Sequence, residues 1–205
     1  MFVSTQFDTL PVLAAVARLS SGEYHQPNVN RAENGGLKMA HTMVEQLRFT
    51  RSEFLRCLEG LSLQDAYVQH GQMNCISWTI GHLAAHESNI FVFLAQNKVV
   101  QPELRKICGF GSPRSTPKLD DMWAAWHEVT AHADVFLDTL TTEKLLEHFQ
   151  WKGEPLKDSI GTMLHRTIYH YWYHLGEVHA IRQMLGQREL PEFVGEMDSA
   201  PFKQA

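Results

Sequence analysis

At 205 residues, 44% apolar and 20% charged, the chain is long enough for one sizeable core and too apolar for a disordered or collagen-like polymer. Eighteen basic against twenty-three acidic side chains leave a net charge of −5 with no basic block, which disfavours nucleic acid and anionic membranes as partners.

Residues 1 to 36 read as an N-terminal arm. Ser20-Ser21-Gly22, Pro27 and Gly35-Gly36 are turn and linker chemistry, with room for a turn or two of helix at Leu10 to Leu19 or, alternatively, an extra helix docked on a partner subunit. The apolar run Leu10 to Ala17 follows Asp8 and precedes the first basic residue, Arg18, the reverse of a secretory leader. From residue 37 to 195 a single helical domain is expected, with 196 to 205 as a C-terminal tail. Met39, Met43, Leu47, Phe54, Leu58 and Leu61 recur at helical spacing, with Glu45, Arg48, Arg51 and Glu59 between them. A second helix is predicted from about Cys75 to Asn97 and holds the longest apolar run, Ile90 to Ala95. That run is far below the roughly 20 residues a membrane span needs.

Pro102, Gly109, Gly111, Pro113 and Pro117 make the next stretch a long loop. Ser115 or Thr116 before Pro117, with Asp120 and Asp121 in the first turn, signals a third helix to about Leu140, its buried stripe Trp123, Trp126, Val129 and Phe136. A short pairing near Phe149 to Trp151 is the one place a strand could form. Ser159 opens a fourth helix through Leu185, which Gly186 can terminate. The expected fold class is therefore all-α, a four-helix bundle with a long crossover between helices 2 and 3, since antiparallel neighbours need only short loops. Cys57, Cys75 and Cys108 are odd in number and form no C-x-x-C; reduced thiols, no disulfide framework and a cytoplasmic location are the expectation.

Twelve histidines are the feature that points to chemistry. His82/His86 and His170/His174 are each four residues apart, about 40° around a helix axis. On helix 4, Met163, Thr167, His170, His174, Glu177 and Ile181 share one strip. On helix 2, Cys75, Trp78, His82, Asn89 and Phe93 share another, with His86 at its edge. Two inward strips can meet. Converging imidazoles satisfy one another well through a divalent cation, and three such ligands leave positions open, as in a catalytic site. Separately hydrogen-bonded core histidines remain the alternative on this ground alone.

Two segments carry a family resemblance. Trp78-Thr-Ile-Gly81-His82-Leu-Ala-Ala-His86-Glu87 and His170-Tyr-Trp-Tyr-His174-Leu-Gly176-Glu177 resemble the metal-binding helices of the DinB-like family, which includes YfiT-type proteins and thiol-dependent S-transferases. Leu190-Pro191-Glu-Phe193-Val194-Gly195 is similar to a common family ending, and the likeness covers about residues 38 to 195. It implies His82 as first metal ligand and His170 and His174 as the others. It also implies a divalent cation (Zn, Ni or Fe, with Cu chemically admissible), a homodimer, and transfer of a low-molecular-weight thiol to a small electrophilic substrate. Hydrolysis at the same site and a non-catalytic metal-binding or interaction bundle are the rivals. Glu177 stands where the family usually has glutamine; as a carboxylate it is a candidate acceptor from a ligand imidazole, a base, or a partner for Arg166 or Arg182.

His86 reads as an edge histidine with a lesser claim as a fourth ligand, and His165 and His179, about 140° from a ligand, as surface or interface residues. Cys75 reads as buried and inert. Trp78, Trp172 and Phe93 are candidate pocket walls. There is no G-x-S-x-G, P-loop or G-x-G-x-x-G, and Gly109-Phe110-Gly111 lacks the strand and third glycine of a nucleotide fingerprint.

Overall fold

The computed structural model describes residues 40–202; the arm at 1 to 36 lies outside them. The first bundle helix, α1 (Thr42–Cys57), starts where the His41 ring nitrogen accepts from the Met43 amide. Its inner strip is Val44, Leu47, Arg51, Phe54 and Leu58, all buried. Arg51 thus belongs inside rather than on the polar face that its charge suggested. It is held there by Glu87, through two hydrogen bonds, and by Asp134 at 2.8 Å. Tyr171 donates to the same Glu87 at 2.7 Å, and Trp126 donates to Tyr171 at 2.8 Å. The network joins all four bundle helices; removing one charged member alone would strand its partner at a cost of about 3–5 kcal/mol.

The second bundle helix begins as α2 (Ile76–Glu87) and continues as a π-helical segment, Ser88–Leu94. The wider π turn slips the phase of the buried strip. Phe91 and Val92 are fully buried, Asn89 is exposed and Phe93 only half-buried, so the predicted Cys75-to-Phe93 strip holds as far as His82 and fails beyond. A short helix, α3 (Leu104–Cys108), lies inside the predicted loop.

α4 (Leu119–Leu137) is capped at Lys118, not at Ser115 or Thr116, and Pro117 stays outside it. Ser115 and Pro117 serve the neighbouring helix instead: their carbonyls accept from Cys75 Sγ and Ser77 Oγ. Trp126 and Val129 are buried as expected, whereas Trp123 and Phe136 flank the stripe half-buried. A further short helix, α5 (Thr142–Leu146), precedes a two-stranded pairing of β1 (Gln150–Trp151) with β2 (Glu154–Pro155). The last bundle helix, α6 (Ile160–Met184), opens at Ser159, whose hydroxyl accepts from the Thr162 amide. It closes at Gly186 (φ +86°), where the Gln187 and Gly186 amides bond back to the Arg182 and Gln183 carbonyls in a Schellman motif.

Pairs of contacts give the directions. Ser77 meets Pro117, Gly81 faces Met122, and Phe91 packs on Phe136, so α2 and α4 run parallel. Phe54 against Tyr171 and Cys57 against Leu175 make α1 and α6 parallel too. His82 beside His174 with His86 beside Thr167 sets α2 against α6, and Arg51–Asp134 with Arg48–Asp138 sets α1 against α4. The order is up, down, down, up. Parallel neighbours cannot be joined by a tight turn, which is why the chain between Leu94 and Leu119 is long. Among the described residues, no helix is long and apolar enough to cross a membrane.

Candidate metal centre

The centre forms because two helices approach where one lacks a side chain. A Cβ on Gly81 would stand 2.3 Å from Met122 Sδ and 2.7 Å from Cys108 Sγ, closer than packing allows. Glycine lets α2 settle against α4 and the end of α3, and the next residue, His82, then turns toward α6. Its Nε2 lies 3.2 Å from His170 Nε2, which lies 2.9 Å from His174 Nε2. All three ligand atoms fall within 4.8 Å of one another. Two nitrogens bound at about 2.0–2.1 Å to one cation stand ~3.0 Å apart at a right angle and ~3.4 Å apart at a tetrahedral one. The His82–His170 and His170–His174 spacings fit that requirement.

Hydrogen bonds fix which nitrogen faces inward. His82 Nδ1 donates to the Cys108 carbonyl at 2.7 Å, and His174 Nδ1 donates to Glu177 Oε2 at 2.6 Å. Each of these rings therefore turns its Nε2 toward His170, whose own Nδ1 is buried without a partner. One shared proton is all that three converging nitrogens could hold among themselves, whereas a single cation engages every lone pair. Burial lowers the pKa of His82, against the opposing pull of the Cys108 carbonyl. Burial, reinforced by the other histidines, takes His170 down to about 3. The same burial favours the neutral form of His82 and His170, in which each is available as a ligand. This donor set could hold one divalent cation with open positions, and the orientation of His174 by Glu177 is the usual support of a metal-bound imidazole.

Glu177 thus faces the His174 imidazole and neither of the arginines considered for it. Arg166 pairs with Asp158 at 2.8 Å, and Arg182 donates to the backbone carbonyls of Cys57 and Glu59. The His174 hydrogen bond holds the Glu177 carboxyl below its ordinary pKa.

His86 stays outside the ligand cluster. Its ring meets that of His170 edge-on with centroids 4.4 Å apart. Thr167 gives its hydroxyl proton to the Met163 carbonyl and so accepts from His86 Nε2 at 3.1 Å. That leaves Nδ1 of His86 as the unprotonated nitrogen, and burial brings its pKa down to about 4.

Trp78 stacks on His82 at 4.7 Å and is the one proposed wall that reaches the centre. Trp172 packs on Phe49, and Phe93 on Trp151. Cys75 is fully buried with its thiol pushed up by burial; the same cause takes Cys57 to about 11 and Cys108 to about 12. None is poised as a thiolate. His179 lies away from the centre, edge-on to Phe193. His165 is exposed, but it lines the cleft of about 780 Å³ that opens onto His82, His86 and His170, together with Phe110, Thr162, Arg166 and Tyr169.

Sequence reasoning missed three contributors. The Cys108 carbonyl has no side-chain signature. Thr167 was visible on the His170 strip, one turn before it, but not its link to His86. Phe110 was visible only as the middle of a glycine pair.

A family model described as the DinB superfamily matches residues 46–178, more than half of the chain and a span that contains all three histidines of the cluster. No curated protein matches the sequence.

Proposed function

Because this chain belongs to the DinB superfamily, we propose that it is a metal-dependent enzyme that transfers a low-molecular-weight thiol to an electrophilic small molecule, with His82, His170 and His174 as the metal ligands. The observation that carries this reading is the convergence of three Nε2 atoms beside a cleft large enough for a small molecule. When bound, zinc, nickel or iron at three neutral imidazoles supplies the Lewis acidity that lets a thiol ionise near neutral pH.

The remaining work falls to the chain itself. The Cys108 carbonyl and Glu177 hold two ligand rings in one tautomer. Trp78, stacked on His82, keeps water from that side of the ring. His86, whose pKa burial lowers to about 4, is too weak a base to keep the proton that leaves the thiol, so that proton passes to solvent through the open cleft. The sulfur then bonds to the electrophilic carbon, and the displaced electron pair departs with the leaving group or enters the acceptor conjugated to that carbon.

The test is metal content per chain. Wild type is expected to carry one equivalent, and His82→Ala, His170→Ala and His174→Ala each to lose it; full metal in all three variants would overturn the site. A panel of thiols with electrophiles, run beside esters and amides, then tests the reaction. Thiol-dependent conjugation is the expected result. Ester or amide cleavage without thiol would move the assignment to hydrolysis, and bound metal with no turnover would move it to a non-catalytic bundle.

A further inference from the structure

Phe110 carries a whole aromatic ring in water, at 102% relative exposure, and it does so on a fixed turn. A Cβ at Gly109 would stand 2.2 Å from the Arg105 carbonyl oxygen, and Gly111 has φ +81°, a conformation that favours glycine. The Ser112 amide and hydroxyl close the turn on the carbonyls of Gly109 and Arg105, each at 3.0 Å. One residue before the turn, the Cys108 carbonyl holds His82. The backbone therefore places the Phe110 ring at the margin of the cleft above the histidine cluster.

A second aromatic surface lines the same cleft. Tyr169 is 66% exposed and lies nearly parallel to the His165 ring, with centroids 5.8 Å apart and planes 12° from parallel. The guanidinium of Arg166 beside it is paired with Asp158 at 2.8 Å. What the cleft offers beside the histidine cluster is flat ring surface, with this one paired cation at its rim. Apolar rings kept in water around one concavity gain by burial against a ligand, and planar faces favour a planar guest.

We propose that the cleft selects substrates bearing a planar aromatic or conjugated ring, which packs against Phe110 and the Tyr169–His165 pair while its polar head reaches His82 and His170. This deepens the metal-centre reading and rests on it.

The experiment compares two chelators with the same head, benzohydroxamate and acetohydroxamate, by calorimetry on the zinc-loaded full chain, each corrected for its affinity for aqueous zinc. The ring is expected to tighten binding to wild type by about tenfold or more. Phe110→Ala and Tyr169→Ala are each expected to cut that ratio to below about threefold, while Phe202→Ala, at an exposed ring outside the cleft lining, keeps it. A wild-type ratio near one, or a ratio preserved in both cleft variants, overturns the inference while leaving the metal centre standing. Failure to take up zinc, and equally nickel or iron in its place, overturns the metal centre and the inference with it, whereas zinc uptake with neither chelator bound overturns the inference alone.

Discussion

At the scale of single residues, the charge of Glu177 distinguishes this site. A carboxylate 2.6 Å from His174 Nδ1 strengthens the ring as an electron donor at Nε2, since the shared proton lies toward an anion. Glutamine in its place could still accept that proton through its amide oxygen, so orientation would survive and only the charge would go. Glu177→Gln is therefore expected to weaken zinc binding by about tenfold, the low end for loss of such a support, with little change in the thermal midpoint of the metal-free protein. Competition against a chromophoric chelator measures this; unchanged affinity would make the carboxylate a bystander. That Glu177 lies within reach of His174 was legible from their i,i+3 spacing. That it chooses His174 over an arginine was not, because Arg166 and Arg182 are engaged by Asp158 and by carbonyls of α1, partners remote in sequence.

At the scale of elements, α2 carries the geometry. It is buried on nearly every face between Ile76 and Ala84, and Gly81 sets how near it comes to α4 and α3. Gly81→Ala would force Met122 and Cys108 aside in a packed interior, at an expected loss of about 1–3 kcal/mol of stability. Zinc affinity should fall with it, because His82 is the adjoining residue. Urea denaturation and metal titration on the same variant check both, and retention of wild-type stability and affinity would show the close approach to be dispensable. The helix spacing that predicted α2 was right up to His82 because i,i+4 periodicity holds there. Beyond Glu87 the π segment changes the residues per turn, and no pattern in the residue types announces it. The caps at Ser159 and Gly186 were legible because capping chemistry is local. The start of α4 was misplaced because Ser115 and Pro117 were drawn into contacts with α2.

At the scale of the whole molecule, a cation held by the histidine cluster of the up-down-down-up bundle would couple its binding to folding. The three clustered histidines come from helices about ninety residues apart in the chain, tied together by the Arg51–Glu87–Tyr171–Trp126 network. A cation that binds only the assembled site stabilises the fold by mass action, by about 2.7 kcal/mol at one hundred times its dissociation constant. For a domain of this size that is an expected rise of about 5–10 °C in the unfolding midpoint. Differential scanning across a zinc series should show it in wild type and lose it in His170→Ala. A midpoint indifferent to metal would separate the cluster from the stability of the bundle.

The sequence by itself determined four amphipathic helices, their approximate limits, the need for a crossover and the histidines able to meet, because periodicity, capping and spacing are properties of neighbouring residues. Only the tertiary structure decided that nitrogens of three histidines gather within 4.8 Å of one another, that Arg51 lies inside, that the Cys108 carbonyl orients His82, and that Phe110 lines the cleft. Each of these depends on how distant segments pack, and packing is set by the summed fit of the whole core rather than by any local pattern.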